Sequence, residues 1–69
     1  MYECPVSKEY DGESLLDFVR YMDCKMGFNW DPKVHFVSLD DKSVELNNMQ
    51  GTLVREGQVI KVFLLPAGG

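Results

Sequence analysis

The feature that most constrains the fold is the apolar run VIKVFLL near the carboxyl end, which Pro66 terminates. Ile60, Val62 and Leu64 alternate with apolar residues on the opposite side, so both faces of a strand formed here are apolar. Such a strand is typical of the interior of a sheet, where neighbouring elements cover both of its faces. Proline then ends the strand pairing, because it has no backbone N–H to donate. We therefore expect a central last strand, from which the tail 66–69 leaves the middle of the fold.

One amphipathic helix is predicted upstream of this strand. Apolar residues recur there at helical spacing and mark one buried face: Leu15, Phe18, Val19, Met22 and Met26. Asp11 is a suitable N-cap residue, and Gly27 is suitable for a left-handed C-cap. The pattern predicts a helix over residues 12–26, with its apolar face toward the side of the last strand that carries Ile60 and Leu64.

The rest of the chain predicts further strands. Residues 1–6 alternate weakly, and the proline among them confines this strand to a sheet edge or an early end. Segments 33–39 and 43–46 form a hairpin, with Asp40 and Asp41 in the turn. One helix packed across a small mixed sheet of about four strands is the simplest α+β architecture that buries both the helix stripe and the last strand.

Composition narrows the class of protein. The chain has 69 residues and a formal charge of −4, which argues against nucleic acid as a partner, because nucleic-acid binding rewards a basic surface. No apolar run approaches a membrane span and the amino end lacks a signal-peptide pattern, so we expect a cytoplasmic protein with no membrane partner. Cys4, Cys24 and His35 are too few and too scattered to predict a metal site. We assign residues 1–65 to one domain and 66–69 to a flexible tail.

The segment TLVREGQVIKVFLLPAGG resembles the carboxyl-terminal part of the ubiquitin-like sulfur carriers, the family of the thiamine-synthesis carrier and the small subunit of molybdopterin synthase. The matching positions are Leu53, Gly57, Val59, Pro66, Gly68 and Gly69. The hairpin VSLDDKSVELNN lies where those carriers have theirs. The sequence departs from the family pattern in two places. Gln58 stands where an aspartate is usual, and residues 1–7 have room for little more than one strand where the family's β-grasp fold begins with a hairpin.

The resemblance implies a β-grasp domain that is a carrier and not an enzyme. A partner, an E1-like adenylating enzyme, would hold ATP and magnesium and adenylate the carboxylate of Gly69. Sulfur from a persulfide or a cysteine desulfurase would then convert it to a thiocarboxylate, for delivery to an acceptor synthase of the thiamine or molybdopterin type. The residues agree with this role. Glycine leaves the carboxylate unhindered, and the chain has no P-loop of its own. No bound cofactor is expected.

Two groups of candidate site residues follow. Gly69, supported by Gly68, is the activation site. The partner-binding residues are Phe63, Leu65, Pro66 and Ala67. For Phe63 two interpretations remain open, an apolar anchor for the partner or a core residue covered by the loop 28–30 or by another edge element. Two other functions also remain open: a ubiquitin-like modifier joined to lysines through Gly69, and a non-catalytic β-grasp interaction module.

Overall fold

The computed structural model describes residues 1–66. Along the chain the elements are β1 (Tyr2–Pro5), a 3₁₀ turn (Lys8–Tyr10), α1 (Leu15–Met26), β2 (His35–Leu39), β3 (Lys42–Val44), a second 3₁₀ turn (Leu46–Asn48) and β4 (Val59–Leu64). The strands form one sheet in the order β1-β4-β2-β3, with α1 packed on one face. This is an α+β fold whose strand order is consistent with a β-grasp topology, as the sequence predicted.

The last strand lies inside the sheet, as expected. β4 pairs with β1 on one side, where Tyr2 lies opposite Val62, and with β2 on the other, where His35 lies opposite Leu64. The β1 ladder continues beyond the strand, because the Val6 N–H donates to the Gln58 carbonyl at 2.7 Å. β1 itself is an edge strand, as the proline at its end predicted.

The prediction of a mixed sheet is wrong, because all the strand pairs of the described residues are antiparallel. β1 and β2 run parallel to each other, but β4 lies between them and is antiparallel to both. Two strands that run parallel must be joined by a crossover connection, and β1–α1–β2 is such a connection. In this fold the crossover spans the neighbouring strand, so a split β–α–β unit forms. Within residues 1–66 one strand precedes the helix, as the short amino-terminal segment predicted.

The helix begins later than the predicted residue 12. Ser14 is the N-cap, and its hydroxyl accepts a hydrogen bond from the Asp17 N–H at 3.1 Å. Asp11, the expected cap, accepts instead from the Glu56 N–H at 2.9 Å, so its carboxylate holds the turn before β4. Gly12 has φ 86° and donates to the backbone of the 53–54 segment, a conformation that a helix does not allow.

The other predicted turns are confirmed. Gly27 ends α1 with φ 71°, the left-handed region that glycine enters at little cost, and its N–H donates to Asp23 at 2.7 Å. Asp40 and Asp41 have φ 48° and 68° and form the two-residue turn between β2 and β3. The Asp40 carboxylate also accepts from the Val59 N–H at 2.9 Å, which ties this hairpin to the first residue of β4.

The core lies between α1 and the covered face of the sheet. The largest fully buried side chains are Phe18, Leu15, Met22, Met49, Ile60, Val19, Val37, Val54 and Val62. Burying one such side chain contributes about 1.5–3 kcal/mol relative to leaving it exposed. Met49 and Val54 come from the connection between β3 and β4, so this irregular segment is part of the core. Leu64 is on the helix-facing side by alternation, but the expectation that it packs against the helix is wrong, since it is 66% exposed at the end of β4.

Within residues 1–66, no helix has the length and apolar character needed to cross a membrane.

Candidate functional site

The end of β4 fixes the point from which the tail leaves the domain. After Leu64, the Leu65 N–H donates to the Val34 carbonyl at 2.7 Å, so the antiparallel pairing with the β2 side continues by one more bond. Pro66 follows and is exposed. Three predicted site residues, Ala67, Gly68 and Gly69, lie outside the described residues.

The face of the sheet opposite α1 carries an aromatic pair beside this point. Phe36 of β2 lies directly opposite Phe63 of β4, and their rings stack with centroids 4.7 Å apart and 12° between planes. Val34 and Leu65 continue the same alternation by one pair, at 42% and 41% exposure. Together Val34, Phe36, Phe63 and Leu65 form an apolar strip on the uncovered face, next to the root of the tail.

The loop 28–30 packs elsewhere. The Phe28 ring packs against the rings of Tyr2 and His35, with centroid distances of 4.7 Å and 5.5 Å. The Trp30 ring stacks on His35 with its centroid 5.8 Å away. By the strand registers, Tyr2 and His35 belong to the helix-facing side of the sheet. Phe63 is half-buried, and its aromatic neighbour is Phe36.

A row of charged and polar side chains crosses the uncovered face next to the apolar strip. Lys61 lies opposite Glu3 on one side and Ser38 on the other. Its ammonium donates to the Asp41 carboxylate at 2.8 Å. That hydrogen bond and the negative charge of Asp41 raise the pKa of Lys61 above its ordinary value. The Lys61 ammonium therefore already has an anionic partner within the chain, and an acidic group of a binding partner would have to compete with Asp41 for it.

Beside the tail root there is also a cleft of about 290 Å³, which no spacing in the sequence indicated. Its lining comes from three separate segments: Trp30, Pro32, His35, Phe36, Val37, Ser43, Val44, Glu45, Leu46, Met49 and Leu65. It exists because β3 pairs only with Val37–Leu39, so the first half of β2 has no strand beside it on this side within residues 1–66. Residues far apart in sequence form it, and for that reason the sequence pattern gave no signal.

In the described part of the chain, neither the apolar strip nor the cleft contains a metal-binding cluster or a cysteine. Among residues 1–66, no three His, Cys, Asp or Glu side chains cluster in a way that could hold a metal ion. Cys4 is buried in the core and Cys24 is exposed on α1.

Comparison with protein-family models, with curated proteins and with solved structures gave no match for this chain. The likeness of its carboxyl-terminal segment to the sulfur carriers therefore stays a prediction from the residues themselves.

Proposed function

We propose that this chain is a sulfur carrier of the ubiquitin-like class, whose Gly69 carboxylate is activated by an E1-like adenylating enzyme in the cytoplasm. One observation carries the proposal. β4 is the interior strand that leads into the Pro66–Gly69 segment, so the tail starts from a root that is hydrogen-bonded up to Leu65. A paired root supports the proposal, because a partner that binds the domain then meets the start of the tail at a defined position.

The chemistry needs only the tail from this chain. A carboxylate oxygen of Gly69 attacks the α-phosphorus of ATP, and pyrophosphate leaves, which gives an acyl-adenylate. The terminal sulfur of a persulfide then attacks the carbonyl carbon, and AMP leaves with the bonding electrons. A second thiol of the sulfur-donor protein cleaves the sulfur–sulfur bond, so the thiocarboxylate forms and the donor keeps a disulfide. An acceptor synthase of the thiamine or molybdopterin type would consume the product.

The partner enzyme must bind more than the tail. A specific complex typically buries about 800 Å² on each partner, which four residues do not supply. The apolar strip is the nearest surface with the character of an interface core, because its stacked aromatic pair is half-exposed next to Leu65. In this proposal Phe63, Leu65 and Pro66 contact the enzyme while Gly68 and Gly69 enter its active site.

A non-catalytic interaction module is the second candidate, and the same apolar strip favours it. An uncovered sheet face with stacked aromatic side chains can bind a partner without any chemistry at the tail. A ubiquitin-like modifier joined to lysines is a third, and it shares the activation step with the carrier. The three differ in what happens to Gly69, so one experiment separates them.

The test is intact mass spectrometry of the full chain after incubation with E1-like adenylating enzymes, ATP, magnesium and a persulfide donor. A carrier gains the mass of one sulfur in exchange for one oxygen, and tandem fragmentation places the change at Gly69. A modifier forms stable conjugates with lysine-containing proteins, and an interaction module keeps its mass.

The matched control is a variant that lacks Gly69. It should keep the melting temperature of the parent, because the buried core residues among residues 1–66 all precede the exposed Pro66 in the sequence. It should lose adenylation, measured as ATP-dependent pyrophosphate exchange. Normal adenylation of the shortened chain would contradict the carrier proposal.

A further inference from the structure

The cleft beside the tail root has planar walls that are held in place by the surrounding chain. The Trp30 ring stacks on His35 with 26° between planes, and the backbone N–H of Trp30 donates to the Asp23 carboxylate of α1 at 3.1 Å. His35 is buried, and its Nδ1 lies 3.1 Å from both the N–H and the carbonyl of Asp31. The hydrogen bond holds the Trp30 backbone and the stack on buried His35 supports its ring, so a ligand loses little free energy in ordering this wall.

The floor of the cleft is apolar, and its lining includes an acidic residue. Val37 and Met49 are almost fully buried beneath it. Glu45 belongs to the lining and is exposed, directly after the end of β3. The chain as a whole has a formal charge of −4. This cleft therefore combines an apolar floor, aromatic walls and an acidic residue in its lining.

Among protein side chains, arginine matches all of these properties. Its aliphatic stem packs on apolar surface while the charged head remains near water. Its planar guanidinium stacks on aromatic faces and pairs with a carboxylate through two hydrogen bonds. A leucine would satisfy only the floor, and a lysine lacks the planar head.

We propose that this cleft binds an arginine side chain of a partner protein, with the guanidinium between Trp30 and Glu45. Leu65 lines the cleft, so the arginine would lie beside the root of the tail. The identity of the partner as the adenylating enzyme rests on the function proposed above, whereas the chemistry of the cleft does not. An acidic carrier and a basic side chain on the enzyme would also attract each other over a distance, which speeds their encounter.

Fluorescence and NMR test the cleft directly. Trp30 is the only tryptophan of the chain, so its emission and its indole N–H resonance report on this site without labelling. The probe is N-acetyl-arginine amide, and the matched probes are the amides of N-acetyl-citrulline, N-acetyl-lysine and N-acetyl-leucine. Citrulline has the shape of arginine without its charge. We expect saturable binding of the arginine probe, weaker binding of the other three, and a loss of affinity as salt concentration rises.

Variants locate the charge. Glu45→Gln should lower the affinity for the arginine probe roughly two- to fivefold, the range expected for an exposed ion pair. Glu9→Gln removes the same charge from the exposed first 3₁₀ turn and should leave the affinity unchanged. Circular dichroism checks that both variants fold, as substitution of exposed residues allows.

The outcomes are distinct. If the leucine and citrulline probes bind as tightly as the arginine probe, the site is simply apolar and the arginine proposal is overturned. If the lysine probe binds as tightly as the arginine probe, the planar head has no role and the proposal is overturned as well. No binding of any probe overturns it as well. Adenylation of Gly69 is measured separately on the same samples. An adenylated parent with an empty cleft leaves the carrier function standing, and a filled cleft without adenylation leaves only the binding site.

Discussion

The two faces of the sheet have the same kind of strand sequence but very different surroundings. On the covered face, Ile60, Val62 and Val37 pack against α1 and are at most 1% exposed. On the opposite face, Phe36 and Phe63 stack on each other and remain partly open to solvent. Alternation along β4 decides which side chains share a face, but the position of the single described helix decides which face is buried. An apolar residue on the uncovered face is therefore available for binding, whereas one on the covered face stabilises the fold.

The difference also separates stability from function along one strand. The candidate partner surface uses the uncovered face and the carboxyl end of β4, and the core uses the covered face. Substitutions on the two faces should consequently have separable effects, which the following variants measure.

Phe18→Ala should have the largest effect on stability. Phe18 is fully buried between α1 and the sheet, and a Phe→Ala change in a core costs about 3–5 kcal/mol. A single core of this size supplies only about 3–5 kcal/mol in total, so the variant should be largely unfolded at 25 °C. Far-ultraviolet circular dichroism and urea titration measure the loss. A cooperative transition with the midpoint of the parent would contradict the assigned core.

Much of this fold could be predicted from sequence because the signals were local. The helix stripe, the left-handed Gly27, the tight turn at Asp40 and Asp41 and the interior last strand each depend on a few adjacent residues. These features are set by backbone conformation and alternation, and both act over short distances.

The errors arose where distant segments compete. Residues before α1 pair with the 53–54 segment, as the Ser14–Leu53 bridge shows, so they do not join the helix. Met49 and Val54 join the core from the irregular connection between β3 and β4. The cleft has the same origin, since its walls come from three segments that no spacing connects. Local pattern carries no information about such contacts, because tertiary packing decides them.

A pair of variants tests whether burial or alternation determines stability within β4. Val62 and Leu64 point to the same side by alternation, but Val62 is fully buried and Leu64 is 66% exposed. Val62→Ala should cost roughly 2 kcal/mol, as expected for the loss of two buried methyl groups. Leu64→Ala should stay within about 0.5 kcal/mol of the parent, as for other surface substitutions. Thermal melts of the two variants give the comparison, and equal losses would mean that the end of β4 is covered.

Phe63→Ala tests the uncovered face. The stacked pair with Phe36 contributes about 0.5–1.5 kcal/mol beyond area burial, so losing the stack alone should cost about 1 kcal/mol of stability, and the variant should stay folded. If the apolar strip is the partner surface, affinity for the adenylating enzyme should fall at least tenfold, the effect of a hot-spot aromatic residue. Titration calorimetry measures the affinity on the folded protein. A sharp drop in melting temperature together with unchanged affinity would identify Phe63 as a structural residue.

The smallest effect concerns the ion pair that crosses the uncovered face. The Lys61 ammonium donates to Asp41 at 2.8 Å, and this bond together with the opposite charge raises the pKa of Lys61 above its ordinary 10.5. The folded chain therefore holds this proton more tightly than the unfolded chain. Its contribution to the free energy of unfolding is fully present below pH 10.5 and is lost as the pH rises through the raised value.

Asp41→Asn should melt slightly lower than the parent at pH 7, and the two melting temperatures should converge at strongly alkaline pH. Glu13→Gln removes the same charge from an exposed position and is the matched control. A difference for Asp41→Asn that persists unchanged at high pH would mean that the turn geometry, and not the ion pair, carries the effect.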